Sequence, residues 1–267
     1  MKKSVIISLV FVSIISLFFT FTPNVLSQSE KVEVLSYNWY GSQFGFIVVG
    51  EVQNVGPNII DYIYLGGIIY TTDGQAQAVS YTKVFSSQIL QQQKAPFRMS
   101  FFPENSYTGD FSWLSIGIDH VEFGVVDANE TDNYQYQNLE IANSMSYIDS
   151  YGLYTVTGSI RNTGNQAAGR VWVVATFYNV SGNVIGAGYT NYLTPDSILP
   201  DQTTSFTVTK IDYPPQLATQ ITNYALLIQT EAPIIPEFNS FLILSIFMIA
   251  TLLAVIFYRR RLKKASE

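Results

Sequence analysis

The chain repeats itself at the spacing of a whole domain. The segment "GEVQNVG" at residues 50–56 returns as "GSIRNTG" at residues 158–164. A shift of 108 positions superimposes, without a gap, Gly50 on Gly158, Asn54 on Asn162, Gly56 on Gly164, Tyr70 on Tyr178, Gly74 on Gly182 and Tyr81 on Tyr189. With one further inserted residue, "ILQQQKAPF" at 89–97 lies on "ILPDQTTSF" at 198–206. A period of this length is one domain rather than a solenoid unit, so the sequence predicts a duplicated domain.

Both copies have the residue pattern of β structure. In "YTVTGSIRN" the apolar residues Tyr154, Val156 and Ile160 alternate with polar ones, which is the period of a half-buried strand. The segments "YIYLGGIIY" and "RVWVVATFYN" are apolar on both faces, as central strands are, and each ends in a turn sequence with glycine. Short strands separated by turns predict an all-β fold of two tandem immunoglobulin-like β-sandwiches, followed by one transmembrane helix.

The N-terminus has the pattern of an export signal. Two lysines precede an apolar run from residue 4 to about residue 21, and "VLS" at 25–27 has the spacing that a signal peptidase reads. We therefore expect a signal peptide over residues 1–27, with cleavage before Gln28. The run is longer than a usual signal core, so an uncleaved anchor is the alternative. In both cases the chain that follows is exported.

The C-terminus has the pattern of a membrane anchor. Residues 241–258 contain no charge, and 18 helical residues at about 1.5 Å each reach roughly 27 Å, enough for a bilayer core. The basic segment "RRRLKK" follows at once and favours the cytoplasmic side. These features predict a single-pass cell-membrane protein with an extracellular ectodomain and a cytoplasmic C-terminus.

The predicted segments between and beyond these ends follow from the repeat. They are a first sandwich at 32–128, a linker at 129–137, a second sandwich at 138–232, a proline-containing stalk at 233–240, the transmembrane helix at 241–258 and a basic tail at 259–267. The chain contains no cysteine, so each domain has to be stable through its core alone. Residues 28–258 carry 7 Lys and Arg against 19 Asp and Glu, a net charge of −12. Such an acidic surface repels nucleic acid and excludes it as a partner.

The second copy resembles the FxLYD domain family of prokaryotic surface proteins. The resemblance rests on "VWVVATFYNVSGNVIGAGYTNYLTPDSILPDQTTSF" at 171–206, where an aromatic strand enters a turn and a later I-x-P segment precedes a phenylalanine. The first copy resembles the family more faintly, and Asn179 stands where the family usually has an acid. The resemblance implies a sandwich on the cell exterior and carries over no catalytic residue.

The C-terminal segment resembles the archaeal PEF-CTERM sorting signals. The tripeptide Pro236, Glu237 and Phe238 precedes the apolar run and the basic cluster, as in that family. The resemblance implies recognition by an archaeosortase, which would remove the helix and leave a lipid anchor. A permanent transmembrane helix explains the same residues without processing, and it is the interpretation that we favour.

The sequence predicts no catalytic site, no cofactor and no metal site. His120 is the one histidine, and although it stands beside Asp119, no cysteine or second histidine exists to complete a zinc site. No G-x-S-x-G elbow, phosphate-binding loop or paired carboxylates occur. Oxygen ligands for calcium could come from Asp127, Asn129, Glu130 and Asp132, but a solvated polar linker is the favoured interpretation.

Two kinds of exposed site are predicted. Asn129 in the linker and Asn179 in a hairpin turn each begin an N-x-S/T sequon, so both are predicted glycosylation sites. Four aromatic residues lie on the strand faces opposite the predicted core, namely Tyr64, Tyr70, Trp172 and Tyr178. Exposed, they would form a platform for sugar rings or a docking surface for a protein. Covered by a second sheet they would be core, which we favour.

These patterns together predict a non-catalytic cell-surface protein, in which tandem sandwiches act as a spacer or as a protein-binding or adhesion module. A linked pair of copies favours reach or binding over catalysis, because linkage raises effective concentration. The alternatives are a carbohydrate-binding surface module that uses Trp172 and Tyr178, and an accessory subunit of a surface hydrolase.

Overall fold

The structure is a computed structural model that describes residues 30–42, 45–209 and 215–231. The predicted signal peptide, stalk, transmembrane helix, tail and sorting tripeptide lie outside the described residues. Within the described residues, no helix combines the length and the apolar character needed to cross a bilayer. These residues are mostly strand, which confirms the all-β class, and the helical turns at Pro103–Asn105, Ser112–Ser115 and Pro215–Ala218 are short.

The first copy folds into two antiparallel sheets of three strands each. Its strands are β1 (Val32–Ser42), β2 (Gly45–Asn54), β3 (Ile59–Thr71), β4 (Ala76–Lys83), β5 (Lys94–Phe101) and β6 (Ile118–Thr131). The orders are β1-β2-β5 and β4-β3-β6. Side chains of both sheets, among them Val48, Phe97, Leu65 and Ile69, belong to one buried cluster. Two sheets that share one core are the arrangement of a β-sandwich.

The second copy repeats this arrangement. Its strands are β7 (Leu139–Ile148), β8 (Tyr154–Asn162), β9 (Ala168–Gly169), β10 (Trp172–Tyr178), β11 (Val184–Tyr189), β12 (Ser197–Ile198), β13 (Thr203–Thr209) and β14 (Asn223–Gln229). The sheets have the orders β13-β8-β7 and β11-β10-β14, with a small pair β12-β9 beside them. Each strand of the first copy has its counterpart at the same place, so the duplicated sequence folds with one strand order.

The repeated sequence phrase marks a buried asparagine that closes the loop after the second strand of each copy. Asn54 is fully buried, and its side-chain amide donates to the carbonyl oxygens of Asn58 at 2.7 Å and Ile89 at 2.9 Å. Its side-chain oxygen accepts a hydrogen bond from the Gly56 amide at 3.0 Å. One side chain therefore makes three hydrogen bonds to backbone groups of the loop, in addition to the backbone bonds that Ile89 and Gly56 make with Ile60 and Lys31.

Asn162 makes the same three contacts in the second copy. Its amide donates to Gln166 at 2.7 Å and Ile198 at 2.8 Å, and its oxygen accepts from Gly164 at 3.0 Å. The oxygen also accepts from the Tyr136 hydroxyl at 2.9 Å. Asn54 and Asn162 thus bond to the backbone of Ile89 and Ile198, two isoleucines that the repeat places at matching positions.

The first glycine of the phrase is required by a phenylalanine on the neighbouring strand. A Cβ atom at Gly50 would lie 2.5 Å from the Phe97 ring, and one at Gly158 would lie 2.7 Å from the Phe206 ring. These distances are too short for any side chain larger than hydrogen. The rings of β5 and β13 therefore pack closely against the second strand of each copy, which explains why glycine and phenylalanine repeat together.

The two copies pack against each other rather than standing apart. A third apolar cluster joins Tyr40, Ile47 and Val49 of the first copy to Val184 of the second, with Tyr178 beside it. The outer face of sheet β1-β2-β5 thus meets the outer face of sheet β11-β10-β14. Both copies belong to one compact unit that ends at Glu231.

The connection between the copies is shorter than the predicted linker at 129–137. Strand β6 continues to Thr131, where Glu130 pairs with Ile60 and Thr131 pairs with Ile59 of β3. The connection to β7 is therefore residues 132–138, and part of it is anchored, since the Gln135 side chain is 6% exposed. Backbone pairing with β3 overrides the polar composition of this segment.

Candidate functional site

The outer face of sheet β4-β3-β6 in the first copy carries an exposed pair of tyrosines. Tyr64 on β3 is 39% exposed and Tyr81 on β4 is 52% exposed. Their rings are parallel, with centroids 6.4 Å apart and an interplanar angle of 1°. The favoured core interpretation is therefore wrong for Tyr64, because no sheet of the described residues covers this face of β3 at Tyr64.

Tyr70 lies on the same face, away from that pair. Its ring stacks on the ring of His120, with centroids 4.9 Å apart. Burial, and then the hydrogen bond with Glu122, raise the pKa of Tyr70. His120 Nδ1 lies 2.8 Å from Asp119 Oδ2, and both side chains are exposed. The histidine thus extends an aromatic stack at the exposed sheet surface.

Tyr178, which the repeat matches to Tyr70, is at the junction between the copies. Its hydroxyl donates a short hydrogen bond to the carboxylate of Glu51 on β2. Glu51 is only 3% exposed, and its other oxygen lies 3.8 Å from the Lys94 amine. Burial, and then the hydrogen bond with Glu51, raise the pKa of Tyr178. Tyr178 belongs to neither a free platform nor the core of its own copy, because it holds the two copies together.

A second buried polar contact joins the copies at Gln229, the last residue of β14. Its side-chain oxygen accepts from the backbone amides of Ser87 at 2.9 Å and Gln88 at 3.2 Å, and from the Gln135 side chain at 2.9 Å. Its side-chain amide donates to the Gln88 carbonyl at 3.2 Å. Gln229 is 1% exposed. A lone glutamine has no pattern that marks such a role, so sequence reasoning missed it.

An aromatic groove opens where the two copies meet. It has a volume of about 370 Å³ and is lined by side chains of both copies, chiefly Lys83, Phe85, Trp172, Tyr189 and Tyr192. Phe85 and Tyr189 meet edge to face at 5.0 Å between centroids, and Trp172 and Tyr192 do so at 5.5 Å. Tyr189 is 44% exposed and Tyr192 is 51% exposed. Trp172 thus lies in a concave aromatic site, not on a flat platform.

Charged groups stand at the rim of this groove. The Arg170 guanidinium lies 5.7 Å from the Tyr192 ring centroid and 2.8 Å from Glu231 Oε1, which also accepts from the Tyr192 hydroxyl at 3.3 Å. The hydrogen bond with Glu231, and then its charge, raise the pKa of Arg170. The Lys83 amine lies 5.4 Å from the Tyr62 ring centroid. Lys83 forms no ion pair with any described residue, in contrast to Arg170.

The predicted aromatic residues therefore do not form one site. Trp172 enters the groove, Tyr64 and Tyr70 lie on the outer face of the first copy, and Tyr178 is enclosed between the copies. Sequence reasoning missed Phe85 and Tyr192 because the repeat matches neither of them to another aromatic residue. Tyr81 and Tyr189 are superimposed by the repeat, and that match was the available signal for them.

The two predicted glycosylation sites differ in their surroundings. Asn179 begins the β10–β11 turn, where its side-chain oxygen accepts from the amides of Ser181 at 3.0 Å and Asn183 at 2.9 Å. The turn itself is exposed, since the adjacent Val180 is 86% exposed. Asn129 lies instead in β6, and its nitrogen donates to the Tyr62 hydroxyl at 3.0 Å.

Three of the four candidate calcium ligands, Asp127, Asn129 and Glu130, are engaged with other groups. Asp127 accepts from the Tyr62 hydroxyl at 2.5 Å, and Glu130 lies 2.8 Å from the Lys31 amine and 3.1 Å from the Asn58 amide. In the part of the chain that the structure describes, no three His, Cys, Asp or Glu side chains converge.

No known protein family and no curated protein matches the chain. Solved structures match at low similarity. The chain is similar to cj0090 of Campylobacter jejuni, with 16% identity and a TM-score of 0.23 over 34% of this chain and 85% of that one. It is also similar to the exo-chitosanase CsxA of Amycolatopsis orientalis, with 13% identity and a TM-score of 0.24 over 73% of this chain. A red sea bream transglutaminase matches with 10% identity and a TM-score of 0.23 over 77% of this chain.

The present chain spans 25% of the chitosanase and 29% of the transglutaminase. TM-scores of this size carry no argument about fold or function.

Proposed function

We propose that this protein is a non-catalytic, membrane-anchored cell-surface protein whose two immunoglobulin-like sandwiches act as one rigid binding module. The observation that carries the proposal is that two equivalent sheet faces, one in each copy, differ in what covers them. In the second copy, the outer face at Tyr178 is covered by the first copy. In the first copy, the equivalent face leaves Tyr64 and Tyr81 exposed. Duplication thus supplies one face for assembly and another for a partner.

The packing favours a binding module over a spacer. Separate sandwiches on a flexible linker would extend the reach of the chain, whereas here Glu51 and Gln229 are buried between the copies and hydrogen-bonded across the contact. Burying a charge without such partners would be costly, so these contacts oppose separation of the copies. A rigid body holds its aromatic side chains at constant spacing, which lowers the entropy cost of binding.

The runner-up function is that of an accessory subunit of a surface hydrolase. It would require polar groups converging on a substrate near Asp119 and His120. Both side chains are exposed at the sheet surface, beside the Tyr70 ring. This placement favours the binding module. The FxLYD resemblance supports only the location of the sandwiches on the cell exterior.

The topology is tested on intact cells. We expect external proteinase K to release peptides from residues 28–231 and to leave the tail at 259–267 protected. The reason is that the basic tail remains on the cytoplasmic side of an apolar helix. Permeabilised cells are the control, and in them the tail should be digested. Digestion of the tail in intact cells with a protected ectodomain would overturn the proposal.

The intact mass of the mature protein tests the anchor and the glycans together. We expect residues 239–267 to be retained, and we expect added glycan mass that falls in the Asn179→Gln variant. The Asn129→Gln variant should change the mass less, because the Asn129 nitrogen is bonded to Tyr62 within a strand. A mature chain that lacks residues 239–267 would establish the sorting-signal interpretation instead. A mass equal to that of the bare polypeptide would exclude glycosylation.

A further inference from the structure

We propose that a continuous line of aromatic side chains on this protein binds a carbohydrate chain. We call it the aromatic track and define it as Tyr64, Tyr81, Phe85, Trp172, Tyr189 and Tyr192. The inference rests on the proposed binding function and adds the chemical class of the ligand and its location. It moves the binding site away from Tyr178, which is enclosed, to residues at and beside the junction groove.

The first part of the track follows from strand geometry. Tyr81 and Lys83 are alternate residues of β4, and Phe85 lies in the bend just after the strand, beyond Val84, which is 2% exposed and belongs to the first core. Alternate residues of an extended strand point the same way and are about 6.6 Å apart. Tyr64 pairs with Lys83 across β3 and β4, so Tyr64 stands directly beside this row with its ring parallel to that of Tyr81.

From Phe85 the track passes to the second copy. Phe85 contacts Tyr189 edge to face, and Tyr189 shares the junction groove with Trp172 and Tyr192. The packing of the copies therefore joins the exposed ring of each repeat, Tyr81 and its equivalent Tyr189, into one surface. A single copy would hold only half of it.

The mixture of groups on the track fits a sugar better than an apolar peptide. A pyranose ring has an apolar C–H face that stacks on an aromatic ring and a polar rim that needs hydrogen bonds. The exposed rings of Tyr81, Tyr189 and Tyr192 offer both a face and a hydroxyl. The cation of Lys83, which pairs with no described carboxylate, stands between the two halves as a hydrogen-bond donor. An apolar segment would bury this cation without a partner.

The length of the track indicates a chain rather than a single sugar. The rings of Tyr64 and Tyr81 lie on the surface of β3 and β4, and the other four rings line the groove at the junction, so successive sugars have successive surfaces to stack on. Ligand sites of this kind combine aromatic walls with a few placed polar groups. The volume of the groove, about 370 Å³, accommodates only part of such a chain, and the remainder would lie along β4.

The test uses the full-length chain purified in detergent and native affinity electrophoresis in gels that contain one soluble polysaccharide each. The panel is a β-glucan, a mannan, a xylan, chitosan oligosaccharide and polygalacturonate. We expect retardation by at least one of them. For that polymer, Tyr81→Ala and Tyr189→Ala should each weaken binding about tenfold, the equivalent of about 1.4 kcal/mol for one lost stacking contact. The matched control is Tyr151→Ala, since Tyr151 is 82% exposed in a turn outside the track.

Tryptophan fluorescence gives a second readout in solution. Binding should change the emission of the wild-type protein, and Trp172→Phe should remove that change, because Trp172 lines the groove while Trp113 is buried in the first core and Trp39 packs against that core. The inference is overturned if the folded wild-type protein binds no polymer of the panel, or if Tyr81→Ala and Tyr189→Ala both bind as tightly as wild type. Such a result would leave the proposed surface function standing, since topology is decided separately by protease access on intact cells.

Discussion

Replacing Asn162 with alanine is expected to lower the free energy of unfolding by about 3 kcal/mol, and Asn54→Ala should do the same. Each asparagine is fully buried and satisfies two carbonyl oxygens and one backbone amide. Alanine removes all three hydrogen bonds from the buried loop, and a net contribution of about 1 kcal/mol per hydrogen bond gives about 3 kcal/mol. The measurement is urea unfolding of the 28–231 fragment followed by circular dichroism.

Two further variants make this result specific. Asn162→Asp keeps the acceptor oxygen but cannot donate, so it should be nearly as destabilising as alanine if the donors to Gln166 and Ile198 matter most. Asn165→Ala, at an exposed position in the same loop, should change stability by less than about 0.5 kcal/mol. Alanine variants of Asn54 and Asn162 with wild-type midpoints would contradict the structural role assigned to the repeated phrase.

Removing the hydroxyl that joins the two copies is expected to have the second large effect. Tyr178→Phe leaves the buried Glu51 carboxylate without its tyrosine donor, and hydrogen bonds to charged groups contribute about 1.5–3 kcal/mol. We expect a loss of about 2 kcal/mol at pH 8. Tyr189→Phe is the matched control, because that side chain is partly exposed and should change stability by less than about 0.5 kcal/mol.

The same pair predicts a dependence on pH. Burial and Glu51 raise the pKa of Tyr178 in the folded state, so the neutral hydroxyl is favoured by folding. The contribution is therefore complete below the ordinary tyrosine pKa of about 10 and is lost as the pH rises through the folded value. The stability difference between wild type and Tyr178→Phe should be constant near pH 8 and should shrink above about pH 10. A difference that grows with pH would contradict the assignment.

A double-mutant cycle with Glu51→Gln locates the origin of the effect. Glutamine keeps the shape of Glu51 and removes its charge, so Tyr178→Phe should be less destabilising in that background. Residues in direct contact usually show coupling energies of about 0.5–3 kcal/mol. Additive effects would mean that Tyr178 stabilises the junction through its ring packing alone.

The repeat in the sequence predicted the fold of each copy well. Inward-facing residues such as Val48 and Val156 alternate with outward ones, and a glycine faces a phenylalanine ring in both copies. These features are local to one copy, because each sandwich builds its own core from strands close in sequence. Both copies therefore share their strand order, the turn at Gly74 or Gly182 and the role of the buried asparagine.

Only the tertiary structure decided what happens to the outward-facing residues. Tyr70 and Tyr178 are equivalent in sequence, yet one stacks on an exposed histidine and the other is enclosed with Glu51. The alternation of a strand records which side chains face its own core, and it contains no information about what covers the opposite face. That depends on contacts between residues more than a hundred positions apart, such as Gln88 with Gln229. The sequence by itself determined two sandwiches and their cores, while the packing of one copy on the other decided which aromatic rings remain free to bind.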